Sequence, residues 1–221
     1  MFFFVWAAKG GSGATVTSVG LASTLARASG SEVLLVDLAG DVPAALGVPE
    51  PRHGVSDWLA APGGPGPDAL ARLEVDRNGL SVLGMGRARG WPADREQELV
   101  RLLSSEHRHV VVDGGLVPAA DGPDAGRLAS TLLDAADRSV LVVRSCYLGL
   151  RRAIAAGRRT DVVVLVREAG RTMAASDIRA VLGVERIVEI DLDPLVARAV
   201  DSGLLAERGH RFFARSLRRV A

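Results

Sequence analysis

The sequence predicts an α/β fold: a doubly wound, mostly parallel sheet of about seven strands with helices on both faces, in three layers. Three observations carry that expectation. Short apolar runs alternate with helix-forming runs along most of the chain, the pattern of βα units winding a parallel sheet. Several of the apolar runs do not alternate with polar residues and end in an aspartate, as strands covered on both faces do at the edge where ligands bind. The first run passes through a glycine-rich turn straight into a helix. With 221 residues, 48% of them apolar, the chain can bury one substantial core, so a single domain over residues 1–221 is expected.

Composition removes several function classes. A formal charge of +1 argues against a general polycation for nucleic acid, leaving only local patches. One cysteine, Cys146, excludes a disulfide framework and any CxxC metal or cluster site, and points to a reducing cytosol. His53, His107, His109 and His210 show no ligand spacing with Cys or carboxylates, and Ser12, Ser145 and Cys146 lack a His pattern that would make a nucleophile. Residues 2–8 are apolar, but too few to span a membrane, and they lack a basic leader. Richness in Ala, Arg, Gly and Val suggests a high-GC, actinobacterial kind of genome.

In chain order, residues 2–7 (FFFVWA) read as a core strand. Gly10, Gly11 and Gly13 let the backbone turn tightly with its N–H groups inward, and a helix starts at about Thr15. Such a nest at a helix N-terminus binds phosphate. The chain has 26 arginines and a single lysine, Lys9, in this turn. That exception suggests a job for a compact, flexible ammonium that a planar guanidinium does not imitate. Residues 32–37 (EVLLVD) form a second strand with Asp37 at its C-terminal edge, either a site carboxylate or a capping residue; for Asp41 the capping role is favoured. Residues 42–78 are irregular, with short helices at 55–61 and 68–73 around APGGPGP at 61–67, and about 48–78 reads as a flexible insertion. Trp58 there is either an exposed partner contact or a core residue.

Next come a strand at 80–83, a loop GMGRARGWP, and a helix at 93–106 with Leu99, Leu102 and Leu103 on one face. Residues 109–113 (HVVVD) form a buried strand ending in Asp113, followed by Gly114 and Gly115. Helices at 124–136, 150–157, 175–182 and 194–205 then alternate with strands at 139–144, 161–167 and 186–190. Residues 208–221 are amphipathic: Arg211, Arg215, Arg218 and Arg219 gather opposite Phe213, Leu217 and Val220. That end is a core helix with a solvated arginine face, a surface for anionic membrane, or a contact for DNA phosphates.

Residues 9–15, KGGSGAT, resemble the deviant Walker A motif KGGxGK[ST] of the ParA/MinD family of dimerising ATPases, which are P-loop NTPase-like. The resemblance implies a loop of Gly10, Gly11, Ser12, Gly13, Ala14, Thr15 and Val16 around the phosphates of ATP or ADP. Thr15 and Asp113 would hold Mg²⁺, Asp113 through water as a Walker B residue, and Lys9 would reach a partner's nucleotide across a homodimer. The chain departs from the pattern at Ala8, where ordinary P-loops begin with glycine, and at Ala14, where the second lysine grips the β and γ phosphates. The run VLLVDLAGDVPAALG resembles the family's Asp-x-Asp motif: Asp37 is its first carboxylate, Ala39 stands in place of the water-orienting second, and Asp41 is a candidate substitute. After Asp113 the family has a small residue and a proline, whereas here Pro118 comes later.

Relatives place an adenine-binding Asn at the end of the strand read as 162–166, and this chain has Arg167 and Glu168 there. The base is then held by stacking or backbone groups, with Asp193-Pro194 resembling the loop that closes over it. The GGxGA loop and the LVDLAGD segment look most like the CpaE/TadZ-type branch with a degenerate P-loop. The expected function is a cytoplasmic, dimerising, nucleotide-binding protein that positions secretion or pilus, septum or chromosome machinery, recruited to membrane, pole or nucleoid, with weak or no ATP hydrolysis. The alternatives are an active ParA-type ATPase that binds DNA nonspecifically and a scaffold that binds no nucleotide.

Overall fold

The computed structural model describes residues 1–30, 32–117 and 124–221. Its strands are β1 (Phe2–Ala7), β2 (Val33–Asp37), β3 (Val75–Arg77), β4 (Leu80–Leu83), β5 (His109–Leu116), β6 (Arg138–Arg144), β7 (Val162–Arg167) and β8 (Arg186–Asp191). They form one sheet in the order β3-β4-β2-β5-β1-β6-β7-β8, parallel throughout except for β3 at one edge. The expected count of about seven is therefore exceeded by that edge strand, which lies within residues 48–78. Asn78 and Gly79, with φ of 55° and 78°, supply the two left-handed positions that a tight hairpin between β3 and β4 requires.

The helices are α1 (Ala14–Ser29), α2 (Val42–Leu46), α3 (Val55–Ala60), α4 (Pro67–Ala71), α5 (Ala93–Ser104), α6 (Asp124–Ala135), α7 (Tyr147–Ala156), α8 (Ala175–Leu182), α9 (Pro194–Asp201) and α10 (Leu205–Leu217). None among the described residues is long and apolar enough to cross a membrane. β1 shows why the layers separate. Its side chains alternate between the two faces, so Phe3 and Val5 pack with α1, α2, α9 and α10, while Phe2, Phe4 and Trp6 pack with α3 to α8. Every residue of β1 is buried because both faces are covered. Trp6 satisfies its Nε1–H on Ser139 Oγ at 2.9 Å.

Two local readings change. Trp58 is 2% exposed, with the Arg95 guanidinium 4.0 Å over its ring, so the partner-contact alternative falls away. The same guanidinium donates to the carbonyls of Trp58 and Pro65 at 3.3 Å each and so fastens the Pro/Gly run to α5. β5 extends past Asp113 to Leu116, because Gly114 lets it bulge past β1: a Cβ there would lie 2.4 Å from the Phe4 ring. Pro118 lies outside the described residues, as does the side chain of His210.

The C-terminal segment is a core helix. α10 lies along α1 with Phe213, Leu217 and Val220 buried, and Gly20 lets the helices meet, since a Cβ at Gly20 would stand 2.5 Å from the Phe213 ring. Arg211, Arg215, Arg218 and Arg219 face solvent. The apolar stripe that a membrane-inserted helix would use is spent on α1. Phe213→Ala is accordingly expected to cost about 3–5 kcal/mol in urea unfolding, against about 0.5 kcal/mol or less for Arg215→Ala; equal and small losses would show that α10 does not belong to the core.

Candidate functional site

The turn from β1 to α1 stands at the C-terminal edge of the sheet, beside the ends of β2 and β5. Gly11 and Gly13 take φ of 74° and 97°, which side-chain-bearing residues rarely adopt. Ser12 Oγ donates to Lys9 O at 2.7 Å and closes the turn, and Thr17 N donates to Gly13 O at 2.9 Å as the helix begins. α1 has no side-chain cap and no acidic residue in its first turn, so its leading N–H groups and dipole meet no acidic side chain of their own turn. A Cβ on Gly10, Gly11 or Gly13 would meet nothing within 4 Å. The loop opens into a cleft of about 490 Å³ lined by residues 9–16, Ala39, Asp41, Gly115 and Leu116, among others. Anions suit such a wall.

Among the described residues Lys9 supplies the cleft's only cationic side chain; it is half-buried, with its Nζ donating to Gly10 O at 3.3 Å. Ala14 puts a methyl group where a clamp lysine would project, at 7% exposure. Asp41 is on the cleft wall and exposed. Asp37 is not. Its carboxylate, fully buried, accepts from the N–H groups of Ala39, Gly40 and Val42 at 2.9, 2.7 and 3.2 Å, and so shapes the loop after β2. In this arrangement its oxygens are met by backbone N–H groups, and Asp37 holds the loop after β2. Burial still raises its pKa above the ordinary value, against the lowering effect of those amides.

Asp113 is the strand neighbour of Asp37, in register with it and also fully buried. Its Oδ1 accepts from Ser18 Oγ and from Gly115 N, each at 3.2 Å, and Oδ2 has no partner. Burial is the largest influence and pushes its pKa up to about 7, against the lowering influence of the Thr15 hydroxyl and helped by the nearby Asp37. An orphaned, buried carboxylate oxygen beside a threonine hydroxyl fits the hydrated shell of Mg²⁺, a hard cation that prefers oxygen. Ser18 carries no motif signal; it lies one turn along α1 from Ala14 and Thr15, and only helical periodicity could have flagged it.

A second cavity of about 300 Å³ shares Gly11, Ser12, Gly13 and Val16 with the first and continues toward β8 and α9. Its walls are mainly apolar, among them Val166, Ile190 and Val196, with Arg144, Asp191, Asp193 and Asp201 as charged members. Asp193 caps α9, its Oδ1 accepting from Leu195 N at 2.8 Å; Pro194 occupies the first turn of that helix and is not among the lining residues. Arg167 lies apart from this cavity. It pairs with Glu189 at 3.2 Å and lines a separate cavity, because side chains alternate along β7 and Val166 takes the near side. Arg144 and Asp191 belong to no motif in the sequence and emerge only from the packing of β6 and β8 around α1.

A family model described as the CobQ/CobB/MinD/ParA nucleotide binding domain matches residues 3–206. No curated protein matches the sequence. Among solved structures, a ParA family ATPase from Chlorobium tepidum is 19% identical, with a TM-score of 0.77 over 98% of this chain and 95% of that one. The MinD cell division protein of Aquifex aeolicus is 22% identical, with a TM-score of 0.75 over 99% and 94%. The septum site-determining protein MinD of Pyrococcus horikoshii, complexed with Mg-ADP, is 17% identical, with a TM-score of 0.72 over 99% and 93%. At these identities the likeness to the solved structures is one of fold.

The buried carboxyl of Asp113 sets a pH dependence. Its folded pKa, about 7, lies above the ordinary 3.8, so between those values the folded protein holds a proton that the unfolded chain has lost. Stability therefore falls as pH rises through that window, and Asp37 adds to the fall in the same direction. Asp113→Asn is expected to be the more stable protein at about pH 8, by up to about 4 kcal/mol, and to lose much of the slope. Urea midpoints across the window check this; parallel slopes in both proteins would mean that Asp113 is ionised throughout.

Proposed function

The chain belongs to the CobQ/CobB/MinD/ParA nucleotide-binding family, and from that premise we propose that it is a nucleotide-binding, dimerising protein of spatial organisation with weak or no triphosphate hydrolysis. The observation that carries the reading is the open glycine turn at the N-terminus of α1, with Lys9 on its rim and the unpartnered oxygen of Asp113 beneath it. Backbone N–H groups of residues 10–15 hold the phosphates, and the α1 dipole favours their charge. Thr15 and Asp113 hold a hydrated Mg²⁺, which when bound offsets phosphate charge.

Ala14 leaves the β and γ phosphates without a cation from the same subunit, and Ala39 leaves the attacking water without a carboxylate. Losing one such charged contact costs on the order of 3 kcal/mol in the transition state, about a hundredfold in rate. Lys9, as a flexible ammonium, serves the nucleotide of a second copy. Leu116 on the cleft rim is 53% exposed and Tyr147, at the head of α7, 74%, which supports a mate covering this edge. The cargo is pilus-secretion, septum or chromosome machinery, as in the CpaE/TadZ-type branch, and the site of action is cytoplasmic with recruitment to a surface. Any membrane or DNA contact runs through the charges of Arg211, Arg215, Arg218 and Arg219 alone, because the apolar side of α10 is buried. Salt then weakens it.

A working ATPase is the second reading, and Asp41 favours it by lining the same cleft as Ala39, an exposed carboxylate two residues on. Calorimetry with Mg²⁺ and a nucleoside triphosphate, followed by phosphate release, separates the readings. Binding with release near background is expected for the parent protein, and Ala14→Lys is expected to tighten binding about tenfold or more. Turnover matching that of ordinary P-loop ATPases would establish the second reading; no heat with any nucleotide would leave a scaffold that binds none.

A further inference from the structure

We propose that Ser18 is a positioning residue for a divalent cation: its hydroxyl ties the first turn of α1, which bears Thr15, to the Asp113 carboxyl, and so places the two oxygen ligands of Mg²⁺ relative to each other. This rests on the reading of residues 10–15 as the phosphate cradle and of Thr15 and Asp113 as the holders of the ion. Helical spacing brings the residues together. Ser18 stands four residues after Ala14 and three after Thr15, so all three share one side of α1, and Ser18 meets β5 there. A hydroxyl inside a helix commonly bonds the carbonyl one turn back; Thr24 does so on Gly20 O at 2.7 Å. Ser18 Oγ lies 2.9 Å from Ala14 O and also 3.2 Å from Asp113 Oδ1, across the gap between helix and sheet. It is fully buried, out of reach of bulk water.

The last torsion of an aspartate is broad, so its carboxyl turns unless the two oxygens are bound differently. In Asp113 they are. Oδ1 accepts from the Ser18 hydroxyl and the Gly115 N–H, each at 3.2 Å, and Oδ2 accepts from nothing. That asymmetry leaves Oδ2 for the shell of the ion, and Ser18 supplies one of the two donors that create it. Without its hydroxyl, Gly115 alone holds Oδ1, and a buried acceptor loses half its donors. Groups that orient a metal's ligands typically govern its affinity by about 10- to 100-fold. The charge of the cleft sharpens the dependence: among the described residues Lys9 is its one cationic side chain, so offsetting phosphate falls largely to the ion.

Calorimetry on the full chain with ADP, once in Mg²⁺ and once in EDTA, tests this, with urea unfolding of each protein beside it. The parent is expected to bind ADP at least about tenfold tighter in Mg²⁺ than in EDTA. Ser18→Ala is expected to lose most of that gain while its affinity in EDTA stays within about twofold of the parent's. Ser18→Thr keeps a hydroxyl on the same carbon and is expected to retain the gain even where its extra methyl group lowers the urea midpoint. A hydroxyl that only packs the helix produces a different pattern: affinity falls equally in Mg²⁺ and in EDTA and follows the urea midpoints, which overturns the positioning role. An undiminished gain in Ser18→Ala overturns it too and leaves the cradle standing. Equal affinity of the parent in Mg²⁺ and EDTA removes the ion, and Ser18 with it, but not the cradle. No heat with ADP in either condition overturns the cradle and the positioning role together.

Discussion

Two carboxylates buried side by side at the edge of the sheet tie the loops of the cleft together. Asp37 and Asp113 are in register on β2 and β5. Asp37 gathers three N–H groups of the loop that follows it. That loop presents Ala39 to Gly115, where a Cβ would come within 2.7 Å of the Ala39 side chain. Gly115 in turn donates its N–H to Asp113, and Asp113 takes the Ser18 hydroxyl of α1. One chain of contacts thus fixes the loops after β2 and β5 relative to the helix that bears the glycine turn. Its members are small because the spacing leaves no room, which explains Gly-Gly after Asp113 in steric terms.

The electrostatics of the cleft follow from the same arrangement. Asp113 gives up solvation to reach its place, and its proton leaves only near neutrality. Among the described residues the cleft offers Lys9 as its one cationic side chain, against an acidic residue, Asp41, on the wall and two beneath it. Attraction for a polyanion then has to come from backbone N–H groups, from the α1 dipole and from a divalent ion, not from side-chain charge. Backbone groups hold phosphate without being placed to follow charge as it develops. That physical asymmetry between holding and reacting underlies the reading of a nucleotide-binding protein with weak or no hydrolysis.

The C-terminal helix shows how amphipathicity underdetermines its own purpose. A stripe of Phe213, Leu217 and Val220 opposite four arginines suits a membrane surface, a DNA phosphate row or a protein core. The choice is made elsewhere, by Gly20 on α1, whose missing side chain lets the Phe213 ring approach. Long-range complementarity decides, and no property of residues 208–221 records it.

The sequence by itself determined the parallel sheet, its helices and the position of the glycine turn, because strands covered on both faces must be apolar throughout and a tight nest before a helix needs glycine. Asp113 was legible for the same reason, as a charge ending a buried run; the hairpin of β3 was not read, because its three residues are too few for a periodic signal. The tertiary structure alone decided which carboxylate meets the cleft, which way Arg167 turns, that Trp58 is buried, and that Arg144 and Asp191 line one cavity. Periodicity encodes which side of an element is apolar. What stands opposite that side depends on contacts between residues far apart in the chain, and those are fixed only when the whole sheet closes.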